Sequence, residues 1–479
     1  MNIEISNKIR ITGASKSMKK FIAEQLTIPN PEYITRVKMN LYLGRTPKNL
    51  KYYEEDGDTI IVPYGFLQSI YIYMLNCVDL TTVEMRTILN RDKKADWSGN
   101  TIIPRDYQRV AVNAMLYHKF GILKSPCSSG KTIMGHLIAM GTGMRTLWLT
   151  HTKELLNQSK AVGEMVLGKG DRVGTITDGK VNIGSVITYA TVQTMFKVDP
   201  SVYRNEFNCV IVDECHRITT KKATSQFSYV VNNIAAEYKY GLSATPETHD
   251  GYGKTVMFNL GSIKHSIDKE DLEEVGTVMP VKICPVFTKW EYPEDALRPD
   301  GTVDFQRATK CLMCDENRNG RIVGLIGNAP TLILSNSIDH LCHIANCLAP
   351  DQQKKACLIA TKHDPDILTA DIECKHTDKA RAEYIEMVRT GKKDIMFSTY
   401  QLAKEGLNIP RLEQVIMAFP AVEENIITQV IGRVARTCDG KNNAICYDMV
   451  DSTGYFIKKW KARVKLYKRQ GNEIIQEGY

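Results

Sequence analysis

The sequence predicts two α/β domains in tandem, preceded by a smaller α+β domain. Three observations carry this prediction. From about residue 104 onward, short β-rich apolar runs alternate with helical stretches; this alternation pauses near residue 246 and resumes near residue 280; and residues 1–100 hold fewer such runs and more tyrosine. Continuous apolar strands that alternate with helices indicate parallel sheets covered on both faces.

The first element in chain order is a small accessory domain over residues 1–100. It contains an uncharged window, residues 59–78, that is as long as a membrane span. Because Pro63 and Gly65 interrupt this window, we predict a strand, a turn and a buried helix there. The first residues carry scattered charges and lack the apolar core of a signal peptide, so we expect a soluble protein.

The first tandem domain is predicted over residues 101–265. Its strands are expected in five apolar runs, at residues 120–123, 146–150, 185–188, 209–213 and 240–243. The following stretch, from Pro246 to about Pro280, is rich in Gly, Asp, Glu and Lys without strong periodicity, which predicts a connector. Gly253-Lys254-Thr255 lies in this stretch and follows no apolar strand, so we interpret it as loop.

The second tandem domain is predicted over residues 280–454, with strands expected at residues 331–335, 356–360, 394–398, 414–418 and 444–447. Residues 455–479 form a basic tail. Seven basic residues lie between Lys458 and Arg469, with Trp460, Val464 and Tyr467 among them. This pattern predicts a basic amphipathic helix.

The composition excludes a disordered or fibrous chain, because 43% of the 479 residues are hydrophobic and 24% are charged. The 62 basic and 54 acidic residues leave a formal charge of +8. Residues 1–100 and 458–479 carry +3 and +5 of it, which together is the whole excess. Such a charge suits a nucleic-acid partner, although a solvated basic surface explains it equally well.

The 13 cysteines are sparse and odd in number, which favours reduced thiols and a cytoplasmic location, in the host cell if a phage encodes the chain. Cys311 and Cys314 form a C-x-x-C pair, but no second ligand pair stands at a suitable spacing. We therefore expect two ordinary thiols on a helix and no zinc site.

Residues 125–132, Ser-Pro-Cys-Ser-Ser-Gly-Lys-Thr, follow a predicted strand and precede a predicted helix, which is the context of a phosphate-binding loop. Its backbone N–H groups would hold phosphate oxygens, Lys131 would neutralise their charge, and the Thr132 hydroxyl would ligate Mg²⁺. A serine stands where the first glycine of such loops is usual. The candidate nucleotide contacts are Ser125, Ser128, Ser129, Gly130, Lys131 and Thr132.

Two acidic residues, Asp213 and Glu214, follow the strand at residues 209–212. They are thus expected at the carboxyl edge of the sheet, where open α/β folds bind ligands. Asp213 would hold Mg²⁺, and Glu214 would orient or activate the attacking water. Without the phosphate-binding loop, a helix cap would explain such a pair better.

From about residue 104 to 450, the motifs and their order resemble superfamily 2 helicases and translocases, which implies two RecA-like domains that bind and hydrolyse ATP. Arg-Asp-Tyr-Gln at residues 105–108 is similar to the adenine-reading element, with Gln108 as the base contact. The segments at residues 147–155 and 187–194 are similar to strand-contacting motifs. Ser243-Ala-Thr245 resembles the motif that couples ATP state to nucleic acid. The contacts that this resemblance implies in the first domain are Thr150, Thr152, Thr191, Gln193 and Thr194.

In the second domain, residues 398–410 resemble a further motif, which implies that Gly406 contacts the nucleotide and Thr399 the nucleic acid. Asn408 replaces a frequent Asp there. Ser335 is a further candidate nucleic-acid contact. Residues 429–436 resemble the motif whose arginines supply transition-state charge, implying catalytic roles for Gln429, Arg433 and Arg436.

The Asp-Glu-Cys-His and Gln-Val-Ile-Gly-Arg segments differ from those of the large RNA-helicase group, and residues 315–319 resemble an element of phage UvsW-type and XPB-like DNA enzymes. This resemblance implies remodelling of branched DNA, by fork reversal and Holliday junction migration, in replication, recombination or repair. A monomer suffices for it. A duplex-DNA translocase of a repair or restriction system, an RNA helicase and an inactive nucleic-acid clamp remain alternatives. Candidate contacts in the accessory domain are Lys38, Arg45, Lys48 and Lys51 with Tyr42, Tyr52 and Tyr53, although a solvated basic face fits them equally.

Overall fold

The computed structural model describes residues 1–89, 92–99, 102–168, 170–218, 226–247, 252–360, 366–375, 378–404, 407–420 and 423–475. These residues separate into two compact units. The first unit contains residues 1–126 and 130–267, and the second contains residues 127–129 and 268–479. Each unit is built around one eight-stranded sheet, and the first carries a smaller five-stranded sheet as well. The predicted fold class, tandem α/β domains with parallel sheets, is confirmed.

The five-stranded sheet is formed at the N-terminal end of the chain. The strands of this region are β1 (Asn2–Ile5), β2 (Lys8–Thr12), β3 (Thr27–Pro29), β4 (Asn49–Lys51), β5 (Glu54–Asp56), β6 (Thr59–Pro63) and β7 (Glu84–Thr87). Its helices are α1 (Lys16–Gln25), α2 (Pro31–Lys38) and α3 (Leu67–Cys77). The strand order is β5-β6-β2-β1-β7, while β3 and β4 form a separate antiparallel pair. Isoleucines alternate along β1 and β2, so one face of this sheet is buried.

The uncharged window at residues 59–78 forms a strand, a short turn and a helix, as predicted. Strand β6 is followed by a 3₁₀ turn at Tyr64–Phe66 and then by α3. Across the described ranges, we find no helix with the length and apolar character needed to cross a bilayer.

The first large sheet has the strand order β11-β10-β12-β9-β13-β14-β8-β15. Its strands are β8 (Phe120–Lys124), β9 (Thr146–Thr150), β10 (Val173–Thr177), β11 (Lys180–Asn182), β12 (Ile187–Thr191), β13 (Cys209–Asp213), β14 (Tyr238–Ser243) and β15 (Ile263–Ser266). Its helices are α4 (Asp106–Tyr117), α5 (Lys131–Thr142), α6 (Lys153–Leu167), α7 (Val192–Lys197), α8 (Gln226–Asn233) and α9 (Lys254–Leu260). All neighbouring pairs are parallel except β10 with β11. The carboxyl ends of β8, β14, β13, β9 and β12 therefore meet at one edge.

The prediction of a connector at residues 246–280 is wrong for residues 254–266, which form part of the first unit. Helix α9 and strand β15 lie there, and β15 pairs in parallel with β8 as the last strand of the first sheet. Lys254 and Thr255 begin α9, where loop was expected. The physical reason is that Val256 and Leu260 are completely buried at helical spacing, but the many glycines and charges around them mask this period.

The second large sheet has the strand order β19-β18-β20-β17-β21-β22-β16-β23, and every neighbouring pair is parallel. Its strands are β16 (Lys282–Thr288), β17 (Thr331–Ser335), β18 (Ala356–Ile359), β19 (Glu373–Lys375), β20 (Ile395–Thr399), β21 (Gln414–Met417), β22 (Ile445–Asp451) and β23 (Glu473–Ile474). Its helices are α10 (Lys269–Glu274), α11 (Phe305–Cys314), α12 (Glu316–Gly324), α13 (Ile338–Asn346), α14 (Pro350–Lys354), α15 (Asp378–Arg389), α16 (Tyr400–Lys404), α17 (Glu424–Val434) and α18 (Gly454–Arg469).

The basic tail forms helix α18, and its charges divide between core and surface. Arg463 is buried and donates through Nε and Nη2 to Asp448, at 2.7 and 2.8 Å. The Tyr467 hydroxyl donates to the same carboxylate at 2.7 Å. One predicted surface charge is thus an internal ion pair that anchors α18 to β22. The four lysines that remain exposed follow helical spacing along the outer face and are Lys458, Lys461, Lys465 and Lys468.

The accessory region and the first large sheet share one apolar core. Tyr252 and Phe258 pack in the same cluster as the isoleucines of β1 and β2. The Tyr64 hydroxyl donates to the Glu237 carbonyl at 3.1 Å. The Asn7 side-chain amide donates to the Asn232 carbonyl at 2.5 Å. These contacts lie within the first unit, so the accessory region is attached to the first large sheet.

Candidate functional site

The phosphate-binding loop connects β8 with α5, as the sequence predicts for Gly130, Lys131 and Thr132. Gly130 caps α5 with φ +81°, a left-handed conformation that favours glycine, and Ser128 also has positive φ, +69°. The Lys131 ammonium donates to two loop carbonyls, those of Ser125 at 3.3 Å and Pro126 at 3.1 Å. This lysine is therefore aimed back over the loop, where the phosphates of a nucleotide would replace the carbonyls as its partners.

Gln108 lies against this loop. It is buried in the first turn of α4, and its side-chain oxygen accepts from the Arg105 N–H at 3.0 Å. Its side-chain nitrogen faces Gly130, because a Cβ built on that glycine would lie only 2.5 Å from Nε2. The structure thus brings the candidate adenine contact next to the candidate phosphate contacts.

Ser125 and Ser129 are both buried. The Ser125 N–H donates to the Ser243 carbonyl at 3.0 Å, which links the start of the loop to the end of β14. A serine therefore fits where a glycine is usual, since its backbone is held by the neighbouring strand.

The two candidate acids lie at the end of β13, at the same edge of the sheet, where Asp213 is the last residue of the strand and Glu214 follows it. Asp213 is buried, and Glu214 has positive φ, +49°. Burial and the neighbouring Glu214 carboxylate raise the pKa of Asp213 to about 7, although the Lys131 charge opposes this rise. Burial also disfavours ionisation of Glu214, but His216, Lys131 and Arg217 outweigh it and lower the pKa of Glu214 to about 2. One lysine thus acts on both carboxylates, which places loop and acids in one site.

His216 connects these acids to the candidate coupling residues, Ser243 and Thr245. Its Nδ1 lies 3.3 Å from Glu214 Oε2 and 3.0 Å from the Ser243 hydroxyl. That hydroxyl also accepts from the Thr245 N–H at 3.1 Å. Hydrogen bonds therefore connect His216 through Ser243 to Thr245, and Glu214 lies in close contact with the histidine at the start of this path. Sequence reasoning did not select His216 as a site residue, although its position two residues after Glu214 was a usable signal.

The candidate nucleic-acid contacts of the first unit converge at the ends of β9 and β12. Thr150 and Thr191 are register partners in these parallel strands. Thr152 and Thr191 cap the helices that follow, accepting from Leu155 N–H at 3.3 Å and Thr194 N–H at 3.4 Å. Thr150 is fully buried and donates to the Thr152 carbonyl at 3.2 Å.

Gln193 lies at the same edge of the sheet. Its side-chain nitrogen is 3.2 Å from His151 Nδ1. Together with the capping threonines, it places polar groups and helix N-termini at a single edge, an arrangement that can hold a phosphate backbone.

A buried histidine joins the phosphate loop to these strand ends. His136 Nδ1 lies 2.7 Å from the Thr132 carbonyl, which can only accept, so Nδ1 carries the proton. Nε2 then accepts from the Tyr189 hydroxyl at 2.6 Å, and the ring stacks on Trp148 at 4.5 Å. Burial lowers the pKa of His136 to about 4, which keeps the ring neutral. Sequence reasoning missed this connection; a histidine inside the apolar stretch 133–140 was its only sign.

In the second unit, Gln429 and Arg433 lie on α17, and Arg436 follows its end. The Arg436 guanidinium donates to the Asn408 side-chain oxygen and, at 3.4 Å, to the Leu407 carbonyl. Burial and the neighbouring Arg433 charge lower the pKa of Arg436 to about 9. Two adjacent guanidinium groups repel each other, and an anion such as phosphate would relieve this repulsion. Gly406 lies outside the described residues.

Ser335 and Thr399 are register partners at the ends of β17 and β20. Ser335 is completely buried, and its hydroxyl lies 2.8 Å from His340 Nδ1. Its side chain therefore supports the interior of the second unit, and no part of this residue is exposed. Thr399 is half-buried, and its hydroxyl accepts from the Leu402 N–H at 3.4 Å.

The donor set near the loop fits a nucleotide with Mg²⁺. Asp213 is a buried carboxylate whose pKa is raised, so a nearby cation would stabilise its ionised form. Thr132, whose hydroxyl is the second candidate ligand, lies in the first turn of α5, directly after the loop. Carboxylate and hydroxyl oxygens are the hard ligands that Mg²⁺ prefers.

Comparisons with known proteins match both units. The model of the res subunit of type III restriction enzymes matches residues 101–248, and the helicase conserved C-terminal domain matches residues 322–438. The chain is 25% identical over 405 residues to the ATP-dependent DNA helicase uvsW of Enterobacteria phage T4, covering 80% of this chain and 75% of that protein.

Solved structures agree in fold. The DNA-bound ATP-dependent Type ISP restriction-modification enzyme LlaBIII has a TM-score of 0.54 at 16% identity, over 84% of this chain and 33% of that one. S. cerevisiae Dbp5 bound to RNA and ADP BeF3 has a TM-score of 0.53 at 14% identity, over 78% and 89%. With two helicase domains in order and the motifs described above, this chain belongs to the ATP-dependent helicases of superfamily 2.

Proposed function

We propose that this helicase remodels branched DNA, reversing forks and migrating Holliday junctions during replication, recombination or repair. The observation that carries the proposal is the attachment of the five-stranded sheet to the first large sheet, which we now call the first motor sheet, through a shared apolar core. An attached domain moves with the motor and can engage the arms of a junction while the strand ends grip a backbone. Similarity to a DNA helicase over 80% of the chain supports DNA as the substrate.

The site residues would divide the chemistry as follows. Gln108 would read the adenine, and the loop N–H groups with Lys131 would hold the β- and γ-phosphates. Thr132 and Asp213 would hold Mg²⁺, which neutralises phosphate charge when bound. Glu214, ionised because of its lowered pKa, would accept a proton from the attacking water.

Arginine charge from the second unit would complete the transition state. Arg433 and Arg436 would stabilise the charge that develops on the transferred phosphoryl group, and such arginines are worth about 10³–10⁵ in rate. Gln429, whose side-chain oxygen is buried with no hydrogen-bond partner within the described ranges, would orient a group of the bound nucleotide or the water. The path from Glu214 through His216 to Ser243 and Thr245 would report hydrolysis to the strand-contacting edge.

Two substitutions test the motor. Lys131→Ala and Glu214→Gln should each abolish DNA-stimulated ATP hydrolysis while circular dichroism shows an intact fold. Turnover like that of the wild type in either variant would refute the assigned chemistry.

A substrate panel tests the branched-DNA proposal. ATP hydrolysis and strand displacement are measured with single-stranded, duplex, forked and four-way DNA and with RNA, and the largest stimulation is expected with forked and four-way DNA. Equal stimulation by all of them would refute the proposal. Stimulation by RNA above DNA would favour an RNA helicase, and translocation on duplex without junction migration would favour a repair or restriction translocase.

A further inference from the structure

The accessory domain carries a largely exposed segment, residues 30–51, that we name the arm. Helix α2 lies in it and has no buried residue. The most exposed large apolar side chains of the arm are Met39 and Tyr42, which are 65% and 87% accessible. Ile34, Val37 and Leu41 are exposed beside them. Several large apolar side chains exposed together on one short segment indicate a binding surface.

The charge of the arm selects the kind of partner. From residue 33 to residue 51 the sequence has five basic residues and no acidic one. Within the described ranges, Lys38, Arg45 and Lys48 form no ion pair, and all three are exposed. Lysines and arginines around an exposed aromatic tip suit a nucleic acid, because phosphates attract the charges and bases stack on the ring.

The arm is braced rather than loose. Asn30 bonds across its base, donating through Nδ2 to the Pro47 carbonyl at 2.8 Å and through its N–H to the Lys48 carbonyl at 2.9 Å. The Arg36 guanidinium donates to the Tyr42 carbonyl at 2.8 Å and pairs with Glu32 at 2.9 Å. Tyr42 therefore lies in a loop that hydrogen bonds close at its base and hold at the Tyr42 carbonyl.

The domain that bears the arm is fixed to the first motor sheet. The backbone around Gly65 packs directly on residues 259–261. Lys239, fully buried, donates to the Val231 carbonyl at 3.0 Å and lies 4.9 Å from the Tyr64 ring centre. A movement of the first sheet along a strand is therefore transmitted to the arm.

We propose that the arm is a strand-separating wedge, which rests on the proposed action on branched DNA. Tyr42, with Met39 and Leu41, stacks on the terminal base pair at the branch point. Lys38, Arg45 and Lys48 hold the phosphates beside it. Apolar side chains that enter between base steps unstack them, and translocation by the motor would press this wedge into the duplex. Tyr52, a candidate contact from the sequence, is buried in the core and takes no part.

The stacking role is tested with Tyr42→Ala, with Tyr42→Phe as the conservative variant. Tyr117→Ala is the matched control, since Tyr117 is 85% exposed on α4 of the same unit. A 2-aminopurine base at the branch point should change its fluorescence on binding the wild type and Tyr42→Phe but not Tyr42→Ala. Loss of one stacked base should weaken fork binding by about 5- to 150-fold and slow fork unwinding, while ATP hydrolysis stimulated by single-stranded DNA stays unchanged.

The phosphate role is tested by replacing Lys38, Arg45 and Lys48 with glutamine. The slope of log affinity against log salt for forked DNA should become shallower by about 2 to 3, close to 0.9 for each lost phosphate contact. If the wild type unwinds forks and the arm variants do so equally well with unchanged slopes, the wedge is wrong and the proposed function stands. If no DNA stimulates the wild type, both are overturned.

Discussion

Replacing Gly65 by alanine should loosen the accessory domain from the first motor sheet. A Cβ at this position would lie 2.7 Å from both the Asn259 carbonyl carbon and the Leu260 nitrogen, and closer still to the Gly261 nitrogen. Ordinary contact begins at 3.4 Å. Because the Gly261 nitrogen is the closest of the three atoms, the two backbone segments must separate by about 1 Å, and overpacking of this kind costs about 1–3 kcal/mol. Since Gly65 has no positive φ, the loss would come from the contact and not from backbone strain.

Thermal unfolding and limited proteolysis measure this effect. The midpoint for the first unit should fall by about 2–12 °C, and proteolytic cleavage within the accessory domain should accelerate. Gly320→Ala is the control, because nothing lies within 4 Å of a Cβ there and alanine favours helix α12. A Gly65→Ala variant with the midpoint and cleavage pattern of the wild type would refute the reasoning.

Three further predictions follow from buried charges and exposed lysines. Asp448→Asn should lower the free energy of unfolding of the second unit by about 3–5 kcal/mol, because the buried Arg463 charge would lose the carboxylate that neutralises it. Urea titration measures this loss, and a value below about 1 kcal/mol would contradict the prediction. The pKa of His136 is lowered to about 4 in the folded chain, so below pH 6.5 the unfolded chain binds a proton at this residue and the folded chain does not. The free energy of unfolding should therefore fall as the pH is lowered from 6.5 to 4. His136→Gln should reduce this dependence of stability on pH, and equal slopes in the two proteins would disprove the assignment. The four exposed lysines of α18 are replaced together by glutamine: Lys458, Lys461, Lys465 and Lys468. If all four contact phosphates, the slope of log affinity against log salt for duplex DNA should become shallower by about 3 to 4. An unchanged slope would show that these lysines form only a solvated face.

Local sequence patterns predict much of this fold. Each of the ten apolar runs overlaps a strand, because a strand buried on both faces is apolar throughout, although the run at residues 185–188 shares only Ile187 and Thr188 with β12. No apolar run predicts six further strands of the two large sheets. Strands β11, β19 and β23 have at most three residues and lie at sheet edges, glycines and charges surround β15, and polar residues or proline interrupt the apolar pattern of β10 and β16.

Patterns of residue types predict the phosphate loop and the acids, since both depend on local spacing. They do not predict what lies across the sheet from them. The link from His216 to Ser243 spans 27 residues, and that from His136 to Tyr189 spans 53. The burial of Ser335, Tyr52 and Arg463 likewise depends on distant neighbours, which no local pattern contains.

The shared apolar core also constrains the order in which the chain can fold on the ribosome. The accessory domain is synthesised first, but Tyr252 and Phe258 complete its core. At about 5–20 residues per second, these side chains emerge roughly 10–30 seconds after residue 90. Until then the isoleucines of β1 and β2 lack their final cover. The nascent N-terminal sheet must wait for the end of the first motor sheet, and this interval is when a holding chaperone would be of most use.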